Sequence, residues 1–178
     1  MVLGAFYDGL YKATLVAHIL CAIVGLGAVF LNALYGAQVR KRPGPEGMAV
    51  FDANFHVSEI AQWVILGIFV FGFLLVLESD DVWKFSQTWV WLAMLLYIIA
   101  ISLSHFVLRP TLKRMRALMG ELASMGPPPG AGPGTPPAGP PPQVVEMQSL
   151  GQRVAATGAT LNVIVVVILC LMVWKPGI

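Results

Sequence analysis

The chain has 178 residues, of which 57% are hydrophobic and only 11% charged. Eleven Lys and Arg stand against nine Asp and Glu, for a net charge of +2. That is too little charge to cover a water-soluble surface, which excludes a soluble globular enzyme, and the net charge gives no ground for a nucleic-acid partner.

Four stretches can cross a hydrocarbon core of about 30 Å, which takes roughly 20 apolar residues. They run from about Ala13 to Ala37, Phe55 to Leu77, Thr88 to Leu108 and Val154 to Trp174. The runs lack the alternation of barrel strands, so they are expected to be helices. The leader MVLGAFYDGLYK has one Lys and one Asp. Together with a long apolar run, this is not the pattern of a cleavable signal peptide. The expected fold is all-α: an up-down four-helix transmembrane bundle forming a single membrane domain.

Orientation follows from the basic residues. Arg40, Lys41 and Arg42 lie between spans one and two, and Arg109, Lys113, Arg114, Arg116 and Arg153 between spans three and four. The N-terminus, the ESDDVWKF loop and the C-terminal tail hold only Lys12, Lys84 and Lys175. Eight against three predicts that both termini are outside and that the first and third loops are cytoplasmic. Trp83, Trp89, Trp91 and Trp174 then lie near the outer interface.

The third loop contains PPPGAGPGTPPAGPPP, Pro127 to Pro142, with nine prolines and four glycines in sixteen residues. Such a run forms neither helix nor core, and is expected to be a semi-extended tether. Before it, Leu112, Met115, Leu118, Met119 and Leu122 recur at helical spacing, with Lys113, Arg114 and Arg116 on the other side. This segment either continues span three as a stalk or bends at Pro110 to lie along the inner leaflet. Val144, Met147, Leu150 and Val154 resume the spacing, which favours a helical hairpin beyond the membrane.

Polar residues inside a bilayer are costly and mark places to look for function. His18 lies five residues into span one, about 7 Å deep from the outside. His56 opens span two, and His105 lies three residues before the end of span three. His56 and His105 thus share a level near the inner leaflet, where two imidazoles could clamp a haem b iron. Glu59 lies one turn from His56, and Ser102 and Arg109 fall on the His105 face. The same pair could instead line a quinone or lipid-headgroup pocket, or be ordinary interfacial histidines. His18, Cys21, Cys170 and Met172 come to a comparable outer depth and have the softness that suits Cu(I). His18 could equally bond to a neighbouring helix or ligate a haem alone. Both cysteines sit in apolar runs and read as buried thiols.

No Asp or Glu lies in the middle of a span, which argues against a carboxylate proton relay. Asn32 and Asn162 are expected to hydrogen-bond between helices, and Gly25, Gly27, Gly151, Ala155, Gly158 and Ala159 to give small packing surfaces. No nucleotide loop, zinc-protease signature or nucleophile elbow is present.

AHILCAIVGLG in span one, LRPTLKRM closing span three and LMVWKPG closing span four resemble a poorly characterised bacterial family of four-helix integral membrane proteins, domain of unknown function 2269. The likeness covers most of the chain apart from the proline loop. It implies a multi-pass protein of the bacterial cytoplasmic membrane. More distantly, the histidine of span one followed by glycine resembles the CopD copper-resistance proteins and the HemJ family. The HemJ likeness implies haem b binding and protoporphyrinogen oxidation, with His18 the matching histidine. No lysine lies inside a span, a departure from the HemJ pattern.

The expected function is that of a non-catalytic accessory subunit, lying in the bilayer beside other subunits of a respiratory or redox complex. The alternatives are a haem-b redox protein, HemJ-like or quinone-reactive, with His56, His105 and His18 as candidate ligands, and a CopD-like copper-handling protein.

Overall fold

A computed structural model describes residues 8–42, 44–125 and 142–177. Five helical segments follow one another: α1 (Gly9–Lys41), α2 (Pro45–Leu77), α3 (Thr88–Leu103), α4 (Arg109–Met125) and α5 (Pro142–Trp174). A π-helical turn, Ser104–Leu108, joins α3 to α4 without a break. The chain is therefore an up-down bundle of four rods, each long and apolar enough to span a membrane. The tether expected over Pro127–Pro142 lies outside the described residues, except that Pro142 opens α5.

Local chemistry sets the ends. Asp8 caps α1, its carboxylate accepting from the Leu10 N–H at 3.3 Å, and Arg40 and Lys41 close the helix against its negative end. Gly44, at φ 74°, makes the sharp turn into α2, Pro45 opens that helix and Glu46 lies in its first turn. After α2, Asp80 and Asp81 take left-handed conformations at φ 48° and 65°. The fully buried Ser79 ties the loop: its hydroxyl accepts from the Trp83 N–H at 3.0 Å and lies 2.8 Å from the Val76 carbonyl.

Pro110 breaks no helix. Proline removes a backbone donor and clashes with the carbonyl four residues back. The wider π turn gives it room, with the Arg109 N–H turned to the Ser104 carbonyl, five residues back. The Thr111 hydroxyl bonds the Val107 carbonyl at 2.6 Å. Of the two courses the sequence left open, span three takes the straight one and continues as a stalk. Arg114 joins it to α5 through two bonds to Glu146, at 2.8 and 3.0 Å.

Packing is uneven. α1 lies close along α2, while α3 and α4 lie along α5. α2 meets α3 through long side chains: Phe69 stacks on Tyr97 at 5.2 Å, and the Tyr97 hydroxyl donates to the Ile65 carbonyl at 2.8 Å. At the tryptophan-rich end Trp89, Val90, Ala93 and Leu171 form a buried cluster. Lys175 covers it, its Nζ 3.9 Å from the Trp83 ring centroid. Burial there pulls the Lys175 ammonium below the ordinary lysine value.

Elsewhere the apolar surface faces outward. Trp63 is 76% exposed, Phe106 75% and Val173 75%, an arrangement that only acyl chains or other helices can solvate. A 33-residue helix is about 50 Å long, against an apolar core of about 30 Å. The helix ends at Leu77, Thr88 and Trp174 coincide with the apolar boundaries at the tryptophan-rich end, so the excess length projects at the basic end.

Candidate functional site

His18 is the histidine that the fold holds in place. Its Nδ1 lies 2.9 Å from the Ile68 carbonyl oxygen on α2. A carbonyl only accepts, so Nδ1 carries the hydrogen, and Nε2 of the neutral ring keeps its lone pair. The ring fits because residue 72 is glycine: a Cβ there would stand 3.0 Å from His18 Cε1. One turn along, Cys21 Sγ would stand 3.0 Å from a Cβ at Gly67. The thiol is thus turned onto α2 and fills the space a side chain would take. Among the described residues, no three of His, Cys, Asp and Glu gather as a metal-binding group.

His56 and His105 are placed differently. Both rings are exposed, and each has a phenylalanine beside it in sequence as its ring neighbour, Phe55 and Phe106. Two ion pairs fix the register between α2 and α4: Arg109 Nη2 to Glu59 Oε1 at 3.2 Å, and Arg116 Nε to Asp52 Oδ1 at 2.8 Å. His56 lies three residues from Glu59 toward the basic end, and His105 four residues from Arg109 toward the other end. The two histidines are therefore out of level by about 10 Å at ~1.5 Å per residue. The structure does not bring them together. Glu59, a candidate orienter of His56, spends its carboxylate on Arg109 instead.

Of the two amides, Asn32 bridges α1 and α2, accepting from Ser58 Oγ at 3.0 Å. Asn162 departs from its expected role: its Oδ1 is buried and has no hydrogen-bond partner among the described residues. The small residues divide in the same way. A Cβ at Gly25 would meet Ile65 Cγ1 at 2.8 Å, whereas at Gly27, Gly151 and Gly158 it would meet nothing within 4 Å. Gly151, Ala155, Gly158 and Ala159 form one face of α5, and Asn162 continues it. Beside that face an open groove of about 250 Å³ is lined by Asn162, Val163, Val166 and Val167.

A second open groove, of about 270 Å³, lies at the basic end between His105, Phe106, Arg109, Pro110 and Lys113. Sequence reasoning singled out His105 and Arg109 and raised a pocket shared by His105 and His56; the groove is lined by His105 and Arg109 without His56, and the π turn beside it leaves no mark in apolar spacing.

Two polar groups escaped the sequence reading. Glu78 closes α2, one oxygen accepting from Thr14 Oγ1 at 3.4 Å and the other buried without a hydrogen-bond partner among the described residues. Its position at the edge of an acidic loop hid its inward turn. Tyr97, in the middle of span three and away from either interface belt, was the available sign of the bond to Ile65.

No family model, curated protein or solved structure matches the chain.

Proposed function

We propose that this protein is a small membrane subunit whose α5 packs against a helix of another chain. The observation that carries the reading is the unfilled face of Gly151, Ala155, Gly158 and Ala159. Helices associate in lipid through close backbone approach and interhelical hydrogen bonds. Inside this chain, that kind of contact is made at Gly25, Gly67 and Gly72 on the α1–α2 side. The same residue types on α5 have open space above them at Gly151 and Gly158. Beside that face, the groove lined by Asn162, Val163, Val166 and Val167 adds open apolar surface. In mild detergent or native lipid, the protein should migrate in an assembly heavier than its own 19.2 kDa. Gly158→Leu should release it as a monomer with an unchanged melting temperature. Migration as a monomer in native lipid would end this reading.

A second reading is favoured by the bond that holds His18. An imidazole fixed through Nδ1–H to a backbone carbonyl, with Nε2 left as donor to a metal, is a common arrangement for an axial ligand. Tested against the residues present, the ring orientation fits a haem b iron. In that role His18 would supply the iron ligand and the Ile68 carbonyl would orient it, while the haem would supply one-electron chemistry. A haem held there would give the assembly a redox role, which is what the HemJ likeness of span one implies. An optical spectrum taken with ample haem supply tests it: a Soret band lost in His18→Ala, and kept in His56→Ala and His105→Ala, is the expected result. A colourless wild type would remove the redox context and leave the packing subunit.

A further inference from the structure

The groove at the basic end has the shape and chemistry of a headgroup seat. His105, Arg109 and Lys113 follow one another at intervals of four residues, so they stand in a row on one side of the rod. Phe106 and Pro110 lie between them, and the five residues together line the groove. The row crosses a boundary. Roughly 20 residues from Thr88 fill the apolar core, which places the membrane–water boundary close to Leu108. His105 and Phe106 then lie just inside it, Arg109 at it and Lys113 just beyond.

The charges are not all spent internally. One nitrogen of Arg109 pairs with Glu59, on α2, which turns the guanidinium but leaves other N–H donors. Lys113 is exposed and makes no ion pair among the described residues. Phe106, 75% exposed, faces the acyl region with no protein cover. The π turn brings these features together. The Arg109 N–H is turned back five residues to Ser104, and the widened turn opens the groove beside Pro110.

We infer that this groove binds an anionic glycerophospholipid of the adjacent leaflet. Its phosphate accepts from Lys113, Arg109 and the His105 ring, and its first methylenes pack on Phe106 and Pro110. Charge complementarity commits the site to an anion. The boundary level and the exposed phenylalanine commit it to one that carries an acyl chain. The inference is independent of both functional readings, since it uses neither α5 nor His18.

The test is native mass spectrometry of the full-length protein, released from detergent in the presence of phosphatidylglycerol or phosphatidylcholine. Phosphatidylglycerol should be retained in preference at equal concentration. Lys113→Gln should lower its retention about fivefold, the effect of one cation near an anionic lipid surface, and Lys113→Arg should restore it. Arg153→Gln removes another exposed cation near the same boundary but outside the groove, and should leave retention unchanged. Equal retention of the two lipids would overturn the inference. So would equal losses in Lys113→Gln and Arg153→Gln, which would reveal diffuse surface charge. Displacement of the lipid by millimolar glycerol phosphate would also overturn it, by showing a site for soluble phosphates that ignores the acyl chains.

Discussion

The two halves of the bundle hold their helices together by different means. Between α1 and α2, backbones approach closely over Gly25, Gly67 and Gly72, each filled by a side chain of the facing helix. Side-chain bonds link the pair along its length, among them Thr14 to Glu78, His18 to the Ile68 carbonyl, and Asn32 to Ser58. Between α3–α4 and α5, contact comes from large apolar residues at one end and from the Arg114–Glu146 ion pair at the other. The α5 glycines take no part in it. Lipid tails are as apolar as leucine, so burial of apolar surface gives little net drive within a membrane. The first half uses what remains, shape and hydrogen bonds, inside one chain. The second leaves part of that capacity facing outward.

The largest test of this contrast is a pair of matched substitutions. Gly25→Leu drives a side chain into Ile65 and should cost about 1–3 kcal/mol, the usual penalty for overpacking. Gly158→Leu enters open space and should leave stability within about 0.5 kcal/mol. Thermal melts in detergent followed by circular dichroism would compare them, and equal losses would erase the distinction. Next in size is His18→Ala, which loses one interhelical bond and the ring seated on Gly72. It should cost about 1 kcal/mol, with the loss confined to the α1–α2 pair as read by hydrogen exchange. A smaller effect, about 0.6 kcal/mol, is expected for Asn32→Ala and again for Ser58→Ala. The double substitution should cost no more than either single one. Additive losses would mean that the two side chains act separately. The smallest belongs to Arg114→Gln, whose ion pair is solvent-exposed. The melting temperature should not change measurably, least of all in high salt. A clear fall would mean that the stalk depends on that pair.

How far the sequence could be read follows the same division. Apolar run length was enough for four helices, and at the tryptophan-rich end it located the ends at Leu77, Thr88 and Trp174, because there the chain leaves lipid and turns at once; α1 begins at Gly9, four residues before the expected Ala13. At the basic end apolar length marked only where lipid stops. The helices continue in water as amphipathic segments, as the spacing of Leu118 and its neighbours indicated. Histidine depth misled for a related reason. Counting from the edge of each run placed His56 and His105 at one level, but the true register is set by Glu59 with Arg109 and Asp52 with Arg116. Long side chains of opposite charge reach across helices, so their pairing carries finer information than the edge of an apolar run. His18 was legible as a polar residue in a span. That it rests on Gly72 was not, because the glycine lies more than fifty residues away in the chain.

The π turn at Ser104–Leu108 has a mechanical meaning as well. Each residue of an α-helix turns the chain through about 100°, so a turn that holds one extra residue shifts the phase of everything after it. The face that α3 presents to lipid and the face that α4 presents to water are thereby set by separate origins on one continuous rod. Removing a single residue within 104–108 would restore an ordinary helix and rotate the whole stalk relative to the membrane part. Arg109, Arg116 and Arg114 would all swing away from their acidic partners together. A one-residue deletion here would act as a rotation of the part of the rod beyond the membrane, with its length almost unchanged.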